Sequence, residues 1–462
     1  MMRHNSTNKK LLALFVLAVA VRLSLFMYVC ADPRGIQQPD SRAYLDSARG
    51  YLKHGVLAHQ DSPERPDAYR MPLYPFFLAS VLYFAAGDVR GVVLFQIFLD
   101  GILVVIVFLL AELTWKGSGF LAGLLAAFNL GLITYSHFIL TETLFVVIFA
   151  VLLLILVVST ARASRMKSIA LGSLLGIVSL IRPVAIYLPI LLYPFLFIAL
   201  LVKQRIPPGR AAMHMVLMTA SFALVLFPWM IRNHKAYGNW RLTAQTGEHL
   251  VQYLVPFVWQ YSRGVPFLEG RERINIELKT EADKAGVDLS NGNPFEVSRF
   301  ERKLAEKHLA SEPLSAVIKA WFYGMTKNLF APAMVDFSNL LLINRSRFFA
   351  TPGATLPERA KNFIRSTGGL GLLLVVSMIV IAVFRILQLG GLYLMVKSGR
   401  RWEACLFSLI IAYFLLASGP VGYAKYRLPL EPILAVLAAI SMAWIYEKTK
   451  QKRHRSKSSY AS

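Results

Sequence analysis

Ten apolar runs of bilayer length, or close to it, constrain this chain more than any other feature. They cover about residues 11–30, 91–114, 118–136, 143–160, 168–182, 184–202, 211–231, 366–396, 403–420 and 428–446. A helix needs roughly 17–25 mostly apolar residues to cross the hydrocarbon layer. Backbone polar groups find no water there, so a run of this kind must be helical. The residues are 56% hydrophobic, and the mean hydropathy is +0.52. The expected class is an all-α integral membrane protein with about 10–12 transmembrane helices, which excludes a soluble enzyme.

The formal net charge of +24 would suggest a nucleic-acid partner in a soluble chain. Here the cations fall in short segments between apolar runs. With the N-terminus inside, the cytoplasmic segments hold Arg3, Lys9 and Lys10; Lys116; Arg162, Arg165 and Lys167; Lys203, Arg205 and Arg210; Lys397, Arg400 and Arg401; and the tail "KTKQKRHRSK". Every short inside loop is basic, as the positive-inside rule requires. The charge is therefore a topology signal and a contact for anionic lipids, and no nucleic acid is implied. Both termini are expected in the cytoplasm of a multi-pass protein of the inner membrane. Counting "PLYPFFLASVLYFAAG" (72–87) as a span would invert every later loop, so it reads as an interfacial or re-entrant piece on the outer side. The first apolar run lacks a convincing cleavage site and reads as a retained helix. Cys30 and Cys405 show no metal or redox spacing.

This topology divides the chain into an N-terminal transmembrane module (1–231) with a first outer loop (31–90), a larger outer loop (232–365), C-terminal transmembrane helices (366–447) and a basic tail (448–462) expected to be disordered. The middle of the larger loop looks helical, and its apolar end could lie along the membrane.

The unusual polar residues collect at predicted outer ends. In "PDSRAYLDSA", Tyr44, Leu45, Ala48, Tyr51 and Leu52 form one apolar face of a short helix, expected to lie flat on the membrane surface. Asp40 or Ser41 opens it, as an N-cap or as a working carboxylate. Arg70 in "AYRMPLYP" is either a headgroup-contacting arginine or a phosphate ligand. Glu142 in "SHFILTETLF" is either a first-turn dipole partner or a second acid beside Asp40. Arg182 in "LIRPVAIYLP", Arg232 and Asn233 in "PWMIRNHKAYGNW", and Lys425, Tyr426 and Arg427 in "GYAKYRLPLEP" sit at further outer ends. Ordinary interfacial flanking explains each singly. Repeated at the face where positive-inside logic does not favour arginine, they point to a shared role. Arg22 and Asp100 lie within apolar runs and could pair with each other; Arg385 is similar, without an obvious partner.

In this order, "PDSRAYLDSA", "RMPLYP", "TETLF", "LIRPVAIYLP", "PWMIRN" and "KYRLPLEP" resemble the polytopic glycosyltransferases of the C-type fold. The similar branch is the bacterial one related to protein O-mannosyltransferases and lipid A aminoarabinose transferases, over about residues 10–445. The resemblance implies inverting transfer of a hexosyl or pentosyl unit from a polyprenyl-phosphate donor to a glycan, lipid or protein acceptor on the outer face. It makes Asp40 the general base and Glu142 the second acidic position, for acceptor or metal. Arg70, Arg232, Arg427 and Arg182 become candidate ligands of the donor phosphate, supported by Tyr44, Asn233 and Tyr426. Relatives often carry a second acid where this chain has Ser41. No cofactor is certain; metal use varies across such enzymes, and a divalent ion is left open.

Two other classes share these features. A lipid or glycan flippase would place polar residues near the midplane, often in repeated halves; here they gather at one face and no repeat stands out. An O-antigen ligase or polymerase would share outer arginines and acids, but the acidic loop directly after the first span favours the C-type enzyme.

Overall fold

The computed structural model describes residues 2–343 and 356–459. The N-terminal part holds α1 (Met2–Val29), α2 (Pro39–His54), α3 (Leu73–Phe84), α4 (Val89–Thr114), α5 (Gly119–Ala127), α6 (Leu130–His137), α7 (Glu142–Ala161), α8 (Arg165–Ile181), α9 (Leu188–Ile198) and α10 (Pro208–Tyr237). The large loop holds α11 (Gln245–His249), α12 (Val255–Ser262), α13 (Phe267–Ala285), α14 (Pro294–Ala310), α15 (Leu314–Phe330), α16 (Met334–Leu340) and α17 (Leu356–Thr367). Then come α18 (Gly369–Lys397), α19 (Arg401–Ala417) and α20 (Glu431–Ser459). Among the described residues the β contact is a single bridge, Ala58 to Pro66.

Seven described helical segments are long and apolar enough to cross a membrane, and an eighth if α5 and α6, bent by 50° at their junction, count as one span. α8 and α19 have 17 residues each, at the short end of spanning helices. Every apolar run read from the sequence is thus helical. The 12-residue α3 reaches only about 18 Å, too short to cross, in keeping with the exclusion of 72–87 as a span.

Burial ranks the helices. The apolar windows of α4, α7 and the segment ending in α20 are 61%, 67% and 83% buried, against 22% for α10 and 11% for α18. The first three form the interior, and α10 and α18 face outward. The α8–α10 pair meets through small residues. A Cβ on Gly172 would lie 2.1 Å from Met218 O, and one on Gly176 2.7 Å from Val225 Cβ. Two glycines four apart let the backbones approach, as apolar helices packed without a hydrophobic driving force require. Arg22 and Asp100 do pair: Arg22 Nε donates to Asp100 Oδ2, and Nη1 donates to Ala18 O (3.1 Å) and Ala127 O (2.9 Å). This ties α1 to α4 and to the end of α5. Arg385 finds partners in Leu329 O (3.2 Å) and Gln388 Oε1.

One expectation changes, that of the tail, and α2 turns most of its expected apolar face to the protein. It buries Leu45 and Ala48 and packs on α3, with Tyr44 edge-on to Tyr74 at 5.2 Å and Tyr51 edge-on to Phe76 at 4.9 Å. The chain after α2 folds back so closely that a Cβ on Gly50 would sit 2.1 Å from Ala58 O. Only Tyr51 and Leu52 of the expected apolar face stay exposed. The basic tail, expected to be disordered, continues α20 as far as Ser459, for it contains no glycine or proline to stop the helix. The large loop has a small core of its own, with Val251, Val255, Trp259, Ile274, Leu278 and Leu304. Part of its expected membrane-lying end, 344–355, lies outside the described residues.

Candidate active site

The site forms where loop 31–72, the α6–α7 turn, the end of α8 and the start of the last span meet. Gln38, not Asp40, is the N-cap of α2. Ser41 closes that turn: its Oγ accepts from Gln38 N (2.9 Å) and donates to Ile139 O (2.8 Å). Ile139 N in turn donates to Ile36 O (3.0 Å). Ser41 is therefore fully buried and stitches the first loop to the α6–α7 turn, where an ionised second acid could not sit unpaired. With the cap supplied by others, the Asp40 carboxylate is free to face outward from the first turn. Its side chain is 46% exposed.

Two cations reach it. Arg70 Nη2 lies 3.3 Å from Asp40 Oδ1, and Lys425 Nζ lies 4.0 Å from Oδ2. Beside them, Arg182 Nη1 is 2.8 Å from Glu142 Oε1, and both side chains are largely buried. Glu142 Oε2 also accepts from Thr141 Oγ1 (3.3 Å). Tyr44 is the floor: the Arg70 guanidinium sits 4.9 Å above its ring, a cation–π contact. Lys425 Nζ lies 5.5 Å from the Tyr426 ring centroid. Three cations thus face two carboxylates.

Arg70 is positioned through its backbone. Asp67 Oδ1 accepts from Tyr69 N (2.8 Å) and Arg70 N (3.0 Å). Burial pushes the Asp67 carboxyl above its ordinary value, and these N–H donors pull the other way. Burial would lower the Arg70 guanidinium, but Tyr44, Asp40, Asp67 and Glu248 outweigh it and hold the group above its usual value.

Arg232 and Arg427, expected as phosphate ligands, are turned to backbone carbonyls instead. Arg232 Nη1 donates to Asp67 O (2.8 Å) and Asn233 Oδ1 (2.8 Å), and Nη2 donates to Leu57 O (3.1 Å). Its guanidinium stacks 4.3 Å from the Trp229 ring. Asn233, fully buried, holds Arg241 O (2.8 Å) and Leu242 O (3.2 Å). Arg427 Nε donates to Glu431 Oε1 (2.7 Å), and Nη1 donates to the carbonyls of Asn328 (2.9 Å), Leu329 (3.0 Å) and Ala331 (3.0 Å). Both arginines hold up the loops behind the site.

Neither a family model nor a curated relative matches the sequence. Solved structures do match. The archaeal oligosaccharyltransferase AglB from Archaeoglobus fulgidus, in complex with an inhibitory peptide and a dolichol-phosphate, aligns over 97% of this chain with a TM-score of 0.52 at 12% identity. Its apo form gives 0.51 at 11% identity over 97%. The chain spans 52% of that enzyme's length. ArnT from Cupriavidus metallidurans, bound to undecaprenyl phosphate, aligns over 92% of this chain and 77% of its own at 15% identity, with a TM-score of 0.39, a similarity too weak to argue from.

The fold is the C-type glycosyltransferase fold.

Within this C-type frame, Asp40, Arg70, Tyr44, Glu142 and Arg182 come together, and Arg232, Asn233 and Arg427 stand behind them. Lys425 is the site residue that sequence reasoning placed at an outer mouth but did not assign. It and Arg427 lie two apart in the 3₁₀ turn Ala424–Leu430, and only the turn's geometry decides that Lys425 reaches Asp40 while Arg427 points into the protein. Among the described residues no three His, Cys, Asp or Glu side chains converge, and each site carboxylate has a cation against it.

Proposed function

We propose that the chain is an inverting glycosyltransferase of the outer face of the cytoplasmic membrane, using a polyprenyl-phosphate sugar donor and a glycan, lipid or protein acceptor. The observation that carries this reading is the half-exposed Asp40 carboxylate, bracketed by Arg70 at 3.3 Å and Lys425 at 4.0 Å. A carboxylate and a cationic cluster at one point are what a phosphate leaving group and a hydroxyl nucleophile need.

The donor phosphodiester carries one negative charge and binds Arg70, Lys425 and the exposed edge of Arg182. Inversion requires base and leaving group on opposite faces of the sugar, so the sugar ring enters between Asp40 and the cations and replaces their direct contact. The acceptor oxygen attacks the anomeric carbon as its proton passes to Asp40. The carbon–oxygen bond to phosphate breaks, and its electron pair stays on the phosphate, where the cations meet the growing charge. Glu142 holds Arg182 in place. The polyprenyl tail lies among the apolar faces of the spans and α3.

The test is transfer from a panel of polyprenyl-phosphate sugars, read as release of the lipid phosphate. Asp40→Asn, close to isosteric, is expected to keep expression and lipid binding and to lose transfer. Full transfer by that variant removes Asp40 as the base. Release from no donor in the panel by the parent protein removes the reading itself.

A further inference from the structure

The large loop carries a buried carboxylate that no motif in the sequence marks. Asp336, on α16, is 2% exposed and accepts from two phenols. Tyr135 OH donates to Oδ2 (3.2 Å), and Tyr423 OH donates to Oδ1. The two tyrosines belong to two segments that frame the cation cluster. Tyr423 opens the 3₁₀ turn Ala424–Leu430 as its N-cap, and its carbonyl accepts from Tyr426 N (3.1 Å). Its own N donates to Asn328 Oδ1 (2.8 Å). Lys425 follows two residues later. Tyr135 lies in α6, and its carbonyl accepts from Oγ1 of Thr143 (2.9 Å), the residue after Glu142. Apolar packing already docks α16: Phe337, Leu340 and Leu341 belong to the main core, and Leu340 O lies against Gly35 of the first outer loop, where no Cβ would fit. Burying a carboxylate is costly unless hydrogen bonds offset it, so docking alone does not account for one here.

We infer that Asp336 is a positioning residue: through Tyr423 it sets the turn that aims Lys425 at Asp40, and through Tyr135 it holds that turn in register with the α6–α7 turn that carries Glu142. This rests on the reading of the cluster as the site of the leaving phosphate. Hydrogen bonds to an ionised acceptor are short and roughly twice as strong as neutral ones. The two oxygens of one carboxylate hold two donors at a fixed separation. The need for such a device follows from Lys425 itself. Its four-carbon stem is flexible, and Nζ reaches Asp40 Oδ2 only at 4.0 Å, so its aim depends on how firmly the turn beneath it is held. A misplacement of about 1 Å, caused far from the chemistry, can cost about 10²-fold in rate. Asp336 itself contacts neither donor nor acceptor; its effect on transfer passes through Lys425.

The experiment is a double-variant cycle in the full-length protein in detergent. Transfer per folded molecule is measured with a polyprenyl-phosphate sugar that the parent uses. The proteins are the parent, Y423F, K425M and Y423F/K425M, with D336N and D336N/K425M in parallel. Y423F removes one hydroxyl and keeps the ring. D336N keeps the shape of the carboxylate and removes its charge, and it carries the test if Y423F does not fold. The expected result is a loss of about 10²-fold in Y423F and in D336N, divided between kcat and donor KM as in K425M. Neither change is expected to add a further loss to K425M. Earlier unfolding with parent transfer per folded molecule is the mark of a purely structural role; it overturns the inference and leaves the proposed function intact. Losses that multiply in the double variants put the effect outside Lys425 and overturn the inference as well. Parent-like transfer by K425M also overturns it, since Lys425 then has no part in transfer. Release from no donor in the panel by the parent removes the proposed function and this inference together.

Discussion

Replacing Arg427 and Lys425 in parallel separates support from chemistry within one short turn. Arg427 is 5% exposed and holds Glu431 and three backbone carbonyls. Arg427→Met removes the cation, leaves those carbonyls without it, and strips Glu431 of its ion partner; Asn129 Nδ2 still donates to Glu431 at 2.8 Å. Breaking a buried ion pair by removing one member costs about 3–5 kcal/mol. Each carbonyl that finds no new donor adds to that. Lys425 makes the long 4.0 Å contact with Asp40 and a 5.5 Å contact with the Tyr426 ring, and its side chain is 24% exposed. Lys425→Met should therefore change stability by less than about 1 kcal/mol, while removing a cation aimed at the leaving group costs about 10²–10³ in rate. The assay pairs thermal unfolding in detergent with transfer per folded molecule. Arg427→Met is expected to melt early and to transfer near the parent rate while folded. Lys425→Met is expected to melt with the parent and to transfer poorly. A stable but inactive Arg427→Met protein would refute the assignment of Arg427 to support.

Further outcomes follow from other contacts. Ser41→Ala removes the Gln38 and Ile139 bonds and should cost about 1 kcal/mol each, with a partial loss of transfer because the Asp40 turn is released; a parent-like melting curve would count against that link. Gly172→Leu should separate α8 from α10 and destabilise the protein by about 1–3 kcal/mol or more, seen as a lower melting temperature. For Glu301, the folded-state pKa of about 7 lies above the ordinary value of 4.5. The unfolded chain therefore loses its proton first, and stability falls as pH rises from the ordinary glutamate range through about 7. Glu301→Gln should remove this fall, measured as hydrogen exchange of α11 and α14 against pH. Reporter fusions at Ile206 and Phe300 should report inside and outside, respectively.

Much of this protein was legible in the chain itself. The apolar runs and the basic short loops determine the spans and their predicted sides, because burial of backbone in lipid admits only helices and loop cations set orientation. The Arg22–Asp100 pair is readable for the same reason: two charges in apolar runs need each other. Asp40, Arg70, Glu142 and Arg182 were candidates from their places at helix ends. What the sequence could not decide is which way a side chain turns. Arg232 and Arg427 look like Arg70 in one dimension, yet their donors go to carbonyls of residues far away in the chain. Ser41 looked like a missing acid and is a buried hydroxyl joining two loops. Lys425 became a site residue only through the geometry of a 3₁₀ turn. Local pattern fixes helices because their hydrogen bonds are local; the partners of a guanidinium or an imidazole are long-range and exist only once the helices have packed.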